Sequence, residues 1–163
     1  MLGRTKAVLA GACALMFAGA VQAAAPTPVF LAKAGASDLY EKQSSQIVLS
    51  STHDKRIRDF AGEMVRDHTK SSEMVKAAAL RSGLHPKPPM LDAKQQKMLA
   101  ELRHARGADR DHLYLDQQRG AHAEALNLMH DYAATGSTPA LKKTAGDIAP
   151  VVQHHIDMLS NMH

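Results

Sequence analysis

Apolar residues return at alternating steps of three and four along four long stretches of this 163-residue chain. Glycine or proline stands at the breaks near 83, 107 and 137. The β-branched runs that a sheet would need are missing, and alanine, leucine, methionine, lysine and glutamine dominate. The pattern predicts an all-α chain, with helices over 29–51, 54–82, a short 92–105, 109–135 and 139–162. Four long helices joined by short turns near 52 and 137 pack as a four-helix bundle. The short helix then rides in the 83–108 connection.

Local chemistry supports these limits. Gly83 before Leu84-His85-Pro86 is a helix stop. Asp92 with Gln95 resembles a capping box. Asp109 can cap the helix after Gly107, and Thr138-Pro139 opens the last one with proline in its first turn. Pro150 falls inside that last helix and cannot donate to Gly146, so a kink or bulge is expected just before His155.

Residues 1–23 stand apart. Arg4 and Lys6 precede an apolar run from Ala7 to Val21, and small residues follow. The run is too short for a membrane span and reads as a secretory signal peptide, cut after Ala23. Cys13 is the only cysteine, and Ala10-Gly11-Ala12 before it make a poor lipoprotein signal. Residues 24–163 are then one domain of a periplasmic protein, with no thiol and no disulfide. They have no stretch apolar enough for a transmembrane span. Removing Arg4 and Lys6 from the 20 basic residues leaves 18 against 16 acidic ones. That balance, with no Trp and no basic stripe, gives no reason to expect nucleic acid as a partner.

The buried face of each helix follows the three-four step. In the second helix it is Ile57, Ala61, Met64, His68, Ser71, Val75 and Ala78. In the helix over 109–135 it is Leu115, Gln118, His122, Ala125, Met129 and Tyr132. In the last helix it is Leu141, Ala145, Ile148, Val152, His155, Leu159 and Met162, or a second phasing through Thr144, Val151 and Met158 that also includes His155; neither selects His154. In the first it is Phe30, Ala34, Ser37, Glu41, Ser44 and Val48. Each long helix thus places one strong ligand type on its dry face: Glu41, His68, His122 and His155. If both short turns lie at one end of the bundle, all four fall roughly 18–27 Å from it. The coordinating nitrogens of the three histidines are expected to approach within about 5 Å of one another.

The same residues carry a family resemblance. The order Glu41, Phe60-Ala61, Met64-Val65-Arg66-Asp67-His68, Tyr114-Leu115, His122, Pro150, His155 resembles the bacterial family called domain of unknown function 4142. The likeness covers roughly 28–160. It implies a ferritin-like four-helix fold and export, with some members labelled as outer-membrane proteins. It brings no established activity. No β-barrel pattern supports insertion into the outer membrane, so association with it would be peripheral.

One carboxylate with three imidazoles suits a transition metal ion: Zn, Cu, Fe or Ni. Gln118 and Tyr114 are candidate supporting donors, whereas Asp67, next to His68 in sequence, should point away from it. The competing reading is a hydrogen-bonded network of the same residues that fixes the bundle's register in a non-catalytic structural or partner-binding envelope stress protein. Such a small exported bundle could form a homo-oligomer or take an envelope partner. A di-iron carboxylate enzyme needs two Glu-x-x-His strings on bundle helices. This chain has one, Glu101-Leu102-Arg103-His104, on the water side of the short helix. His154, Met158, Met162 and His163 could hold Cu(I), but the two methionines read better as the close of the core. His53, His85, His104, His112 and His130 read as surface residues. No nucleophile motif marks a hydrolase, and no enzyme activity is expected.

Overall fold

A computed structural model describes residues 25–162, and the expected signal peptide lies outside them. Five helices follow in order: α1 (Thr27–Leu49), α2 (Lys55–Arg81), α3 (Ala93–His104), α4 (Gly107–Thr135) and α5 (Pro139–Ser160). Among the described residues there is no strand, and no helix is long and apolar enough to cross a membrane.

The helix ends form for identifiable reasons. Asp54 caps α2 by accepting from the backbone N–H groups of Arg56 and Ile57. Gly83, at φ 73°, takes the left-handed turn that ends α2. Asp92 and Gln95 form the full capping box of α3. At α4 the expectation fails. The helix begins at Gly107 after Arg106, and Asp109 sits inside the first turn, where its charge favours the helix dipole instead of capping the end. Pro150 lies inside α5, which is α-helical from Pro139 to Ser160 without a π-type bulge at the proline.

α1 pairs with α2 and α4 with α5, and the two hairpins close through α2 against α5 and α1 against α4. α3 lies over the α1–α4 side. Two apolar clusters fill the interior. One holds Phe30, Ala34, Ala78, Tyr132 and Leu141; the other holds Val48, Ile57, Leu102, Leu115 and Leu159. The α4–α5 turn therefore closes the first end and the α1–α2 turn the second. This corrects the assumption that both turns share one end. The long connection after Gly83 must run the length of the bundle, and α3 seals that side with Leu99 and Leu102.

The first end is pinned by contacts distant in sequence. Phe30 stacks on Tyr132 with ring centroids 3.8 Å apart. The hydroxyls of Thr27 and Tyr132 are hydrogen-bonded at 2.6 Å. Gly136 lies against that same tyrosine: a Cβ there would fall 2.5 Å from its carbonyl oxygen and 2.6 Å from its ring. Gly136→Ala is expected to lower unfolding free energy in urea by about 1–3 kcal/mol, the usual range for forced overpacking.

Candidate metal centre

Between the two apolar clusters lies a polar layer, and three of the four expected ligands meet in it. His68, His122 and His155 are 4%, 1% and 1% exposed. One ring nitrogen from each lies within 4.8 Å of the others. That nitrogen separation agrees with the one expected from the sequence, and the ring centroids stand 5.3–5.7 Å apart. His68 and His122 sit near the middle of α2 and α4, and His155, nearer the C-terminal end of the shorter α5, reaches the same level, so the opposite placement of the turns still brings the three together. Phe60 closes one side, edge-on to His155 with centroids 6.5 Å apart.

The partners of the rings fix their tautomers. His68 donates from Nδ1 to Asp38 Oδ1 at 2.9 Å. His122 donates from Nδ1 to the Gln118 carbonyl at 3.0 Å. His155 donates from Nε2 to Asp67 Oδ2 at 3.0 Å. A carbonyl or carboxylate oxygen can only accept, so each of these nitrogens carries the hydrogen. The other nitrogen of each neutral ring then holds a lone pair. His68 Nε2 is buried with no hydrogen-bond partner. His122 Nε2 and His155 Nδ1 face each other at 3.3 Å. In neutral rings that contact sets one lone pair against another, which favours a cation between them.

Electrostatics agree. Burial first, then the charges of His68 and His155, pushes His122 down to about 3. Burial pushes His155 down to about 4, against the pull of Asp67. Both rings are therefore neutral at physiological pH. Burial also opposes charge on His68, but its hydrogen bond to Asp38 and the charges of Glu41, Asp38 and Asp67 outweigh it and raise its pKa.

Glu41 is 1% exposed but stands apart from the trio. Its Oε1 lies 3.7 Å from His122 Nδ1, the nitrogen already committed to Gln118. Both carboxylate oxygens are buried without a hydrogen-bond partner. Burial raises its pKa to about 7, with the attraction of His68 working against the rise.

Two functional residues escaped the sequence reading. Asp67 does point away from His68, and its half-buried carboxylate accepts from His155 of α5. Asp38 was passed over for Ser37, which is only half-buried, while Asp38 is 4% exposed. Its spacing of one turn before Glu41 was the available signal, since it puts both carboxylates on one face. The expected supporting donors act otherwise. Gln118 serves His122 through its backbone, and its side chain donates to Ser44 at 3.2 Å. The Tyr114 hydroxyl pairs with Ser45 at 2.8 Å.

Glu101 and His104 are exposed, as are His53, His85, His112 and His130. At the end of α5, Met162 is 8% exposed within the apolar cluster, His154 is exposed, and His163 lies outside the described residues.

The family model described as Domain of unknown function (DUF4142) matches residues 13–162. No curated protein matches the chain. Among solved structures, a DUF305 fragment from Deinococcus radiodurans superposes with a TM-score of 0.71 at 15% identity, covering 86% of this chain and 97% of that one. A DUF305 protein from Streptomyces coelicolor gives 0.69 at 15% identity, covering 82% and 87%. At such identities the likeness is one of fold alone.

Proposed function

The chain belongs to the DUF4142 family, a membership that brings a helical domain and no chemistry, and we propose from its own residues that it is an exported, periplasmic transition-metal-binding protein. Its signal peptide is removed after Ala23, and residues 24–163 act as one domain. His68, His122 and His155 are the ligands, and Glu41 supplies buried negative charge at the centre. The ion is Zn, Cu, Fe or Ni, the metals that suit imidazole.

One observation carries this reading: three buried imidazoles spend their outer N–H on fixed acceptors and leave their inner nitrogens without ordinary partners. Metal-binding histidines are oriented in this way. The spacing also fits, because two nitrogens on bonds of 2.0–2.1 Å at a tetrahedral ion stand about 3.3 Å apart.

The alternative is a partner-binding protein with a hydrogen-bonded core. A groove of about 870 Å³ along α1, α3 and α4 favours it, with Met90 81% exposed at its rim. Against it, a satisfied network would leave neither Glu41 nor His68 Nε2 without a partner. The large exposed apolar side chains, Val29, Leu80, Met90 and Val151, lie on four different segments.

Thermal unfolding of chelator-treated protein, with and without Zn²⁺, Cu²⁺, Fe²⁺, Ni²⁺ and Mn²⁺, separates the two. A metal at 100 times its Kd adds about 2.7 kcal/mol, roughly 10 °C in Tm for a domain of this size. A metal-selective rise that disappears in His68→Ala/His155→Ala is the expected result. No rise with any metal would overturn the reading and leave the histidines as core-builders.

A further inference from the structure

A cavity of about 20 Å³ lies beside the histidine trio, between α1, α2, α4 and α5. His68, His155, Ser71 and the carboxylates Asp38 and Asp67 line it together with apolar residues that include Met129, Ile148 and Val152. Its size is enough for one water molecule and little more.

Ser71 is the unusual wall residue. Hydroxyls inside helices commonly bond back to a carbonyl one turn earlier. Thr69 does so to Val65, Ser72 to His68, Ser82 to Ala78 and Thr144 to Ala140. The Ser71 hydroxyl has no such bond and no other partner, although it is buried. It sits three residues after His68 on the same face of α2, and His68 Nε2 is equally unpartnered. Two orphaned polar atoms thus belong to residues that share one water-sized space next to the trio.

We propose that this cavity is an open coordination position of the metal centre. It admits an exogenous ligand of one or two heavy atoms, with water or hydroxide as its resting occupant, and the Ser71 hydroxyl hydrogen-bonds that ligand. The proposal rests on the metal reading above. It adds that the ion is not closed off by protein ligands, an arrangement typical of reactive and not purely structural sites. With Met129, Ile148 and Val152 in its lining, a space of about 20 Å³ favours a ligand of one or two heavy atoms over a larger one.

The test uses the mature protein loaded with Co²⁺, whose visible bands report both occupancy and ligand change. Cyanide, kept below the level that strips cobalt, is the small probe, and imidazole is the oversized one. Cyanide is expected to shift the bands saturably at one equivalent, with cobalt retained after gel filtration, and imidazole to leave them unchanged. Ser71→Val fills the space and should weaken cyanide binding at least ~10-fold. Ser71→Ala keeps the space and removes one hydrogen bond, for a loss of ~5-fold. Both variants should still bind one equivalent of cobalt, since both keep the three histidines. Cobalt bands indifferent to cyanide, equally shifted by imidazole, or shifted in Ser71→Val as in the parent protein would overturn the open position alone. Absence of protein-bound cobalt bands would overturn the metal reading and this proposal with it.

Discussion

Stripped of metal, the protein is expected to be most stable near pH 6.5 and to lose about 4 kcal/mol by pH 4. His122 and His155 set the acid side. Their folded pKa values of about 3 and about 4 lie well below the ordinary histidine value of 6.5. Between those limits the unfolded chain binds two protons that the folded chain does not. Their contribution is complete above pH 6.5 and is lost as pH falls through 4 and then 3. Glu41 works in the opposite sense. Its folded pKa of about 7 lies above the ordinary 4.5, so its contribution is present below 4.5 and is lost as pH rises to 7. Between 4.5 and 6.5 it cancels one of the two histidines, leaving a net slope of about 1.4 kcal/mol per pH unit; below 4.5 the slope is about twice that. His68 reverses the trend above 6.5, because its raised pKa makes the folded state hold a proton the unfolded state has released. Urea unfolding with chelator from pH 3.5 to 8.5 measures the curve. Stability that rises as pH falls from 6.5 to 4.5, as Glu41 alone would give, would mean that His122 and His155 titrate like exposed residues and that the buried trio does not exist.

The buried faces of α2 and α5 were legible because those helices separate apolar from polar residues cleanly; α4 separates them less, since its buried side also holds Arg110, Gln117 and Gln118, and its face was found from the three-four spacing. Every residue assigned to the buried faces of α2 and α4, and to the first phasing of α5, is buried, His68, His122 and His155 included. α1 resisted the same treatment. Its alanines, glycine and serines fit either a dry or a wet face, so periodicity barely separates Ser37 from Asp38. The structure buries Ala36, Asp38, Tyr40 and Ser45 beyond the assigned face. Asp67 was hidden for a different reason. A position next to a core residue usually faces water, but in a ring of four helices it can face the next helix instead, here α5. The end at which each turn lies was not legible either. His68, His122 and His155 each lie about half the bundle's length from the turn of their own hairpin, so both arrangements bring them to one level. The polar layer could thus be found from spacing alone, but its outer partners depend on how the helices are rotated against one another.

Glu41→Gln should stabilise the metal-free protein at pH 8 and weaken its response to metal. At that pH the carboxylate is ionised and buried, neither oxygen makes a hydrogen bond of good geometry, and the nearby Gln118 amide offsets only part of the cost of burial. A shift from 4.5 to about 7 corresponds to about 3 kcal/mol of strain on the charged form. Glutamine removes the charge but still buries a polar amide, so the expected gain is about 2 kcal/mol at pH 8. At pH 4.5 the wild-type carboxyl is itself protonated in the folded state, and the gain should shrink toward zero. His68 keeps its charge partner in the variant, because Asp38 remains 2.9 Å from Nδ1. The metal-dependent rise in Tm should fall, since three neutral imidazoles then face a dication without the buried charge that offsets it. A structural glutamate would behave differently: its replacement would cost stability at every pH and leave the metal response unchanged. A group that destabilises the metal-free fold and strengthens the metal-bound one is what a binding site, as opposed to a register-fixing network, requires at this position.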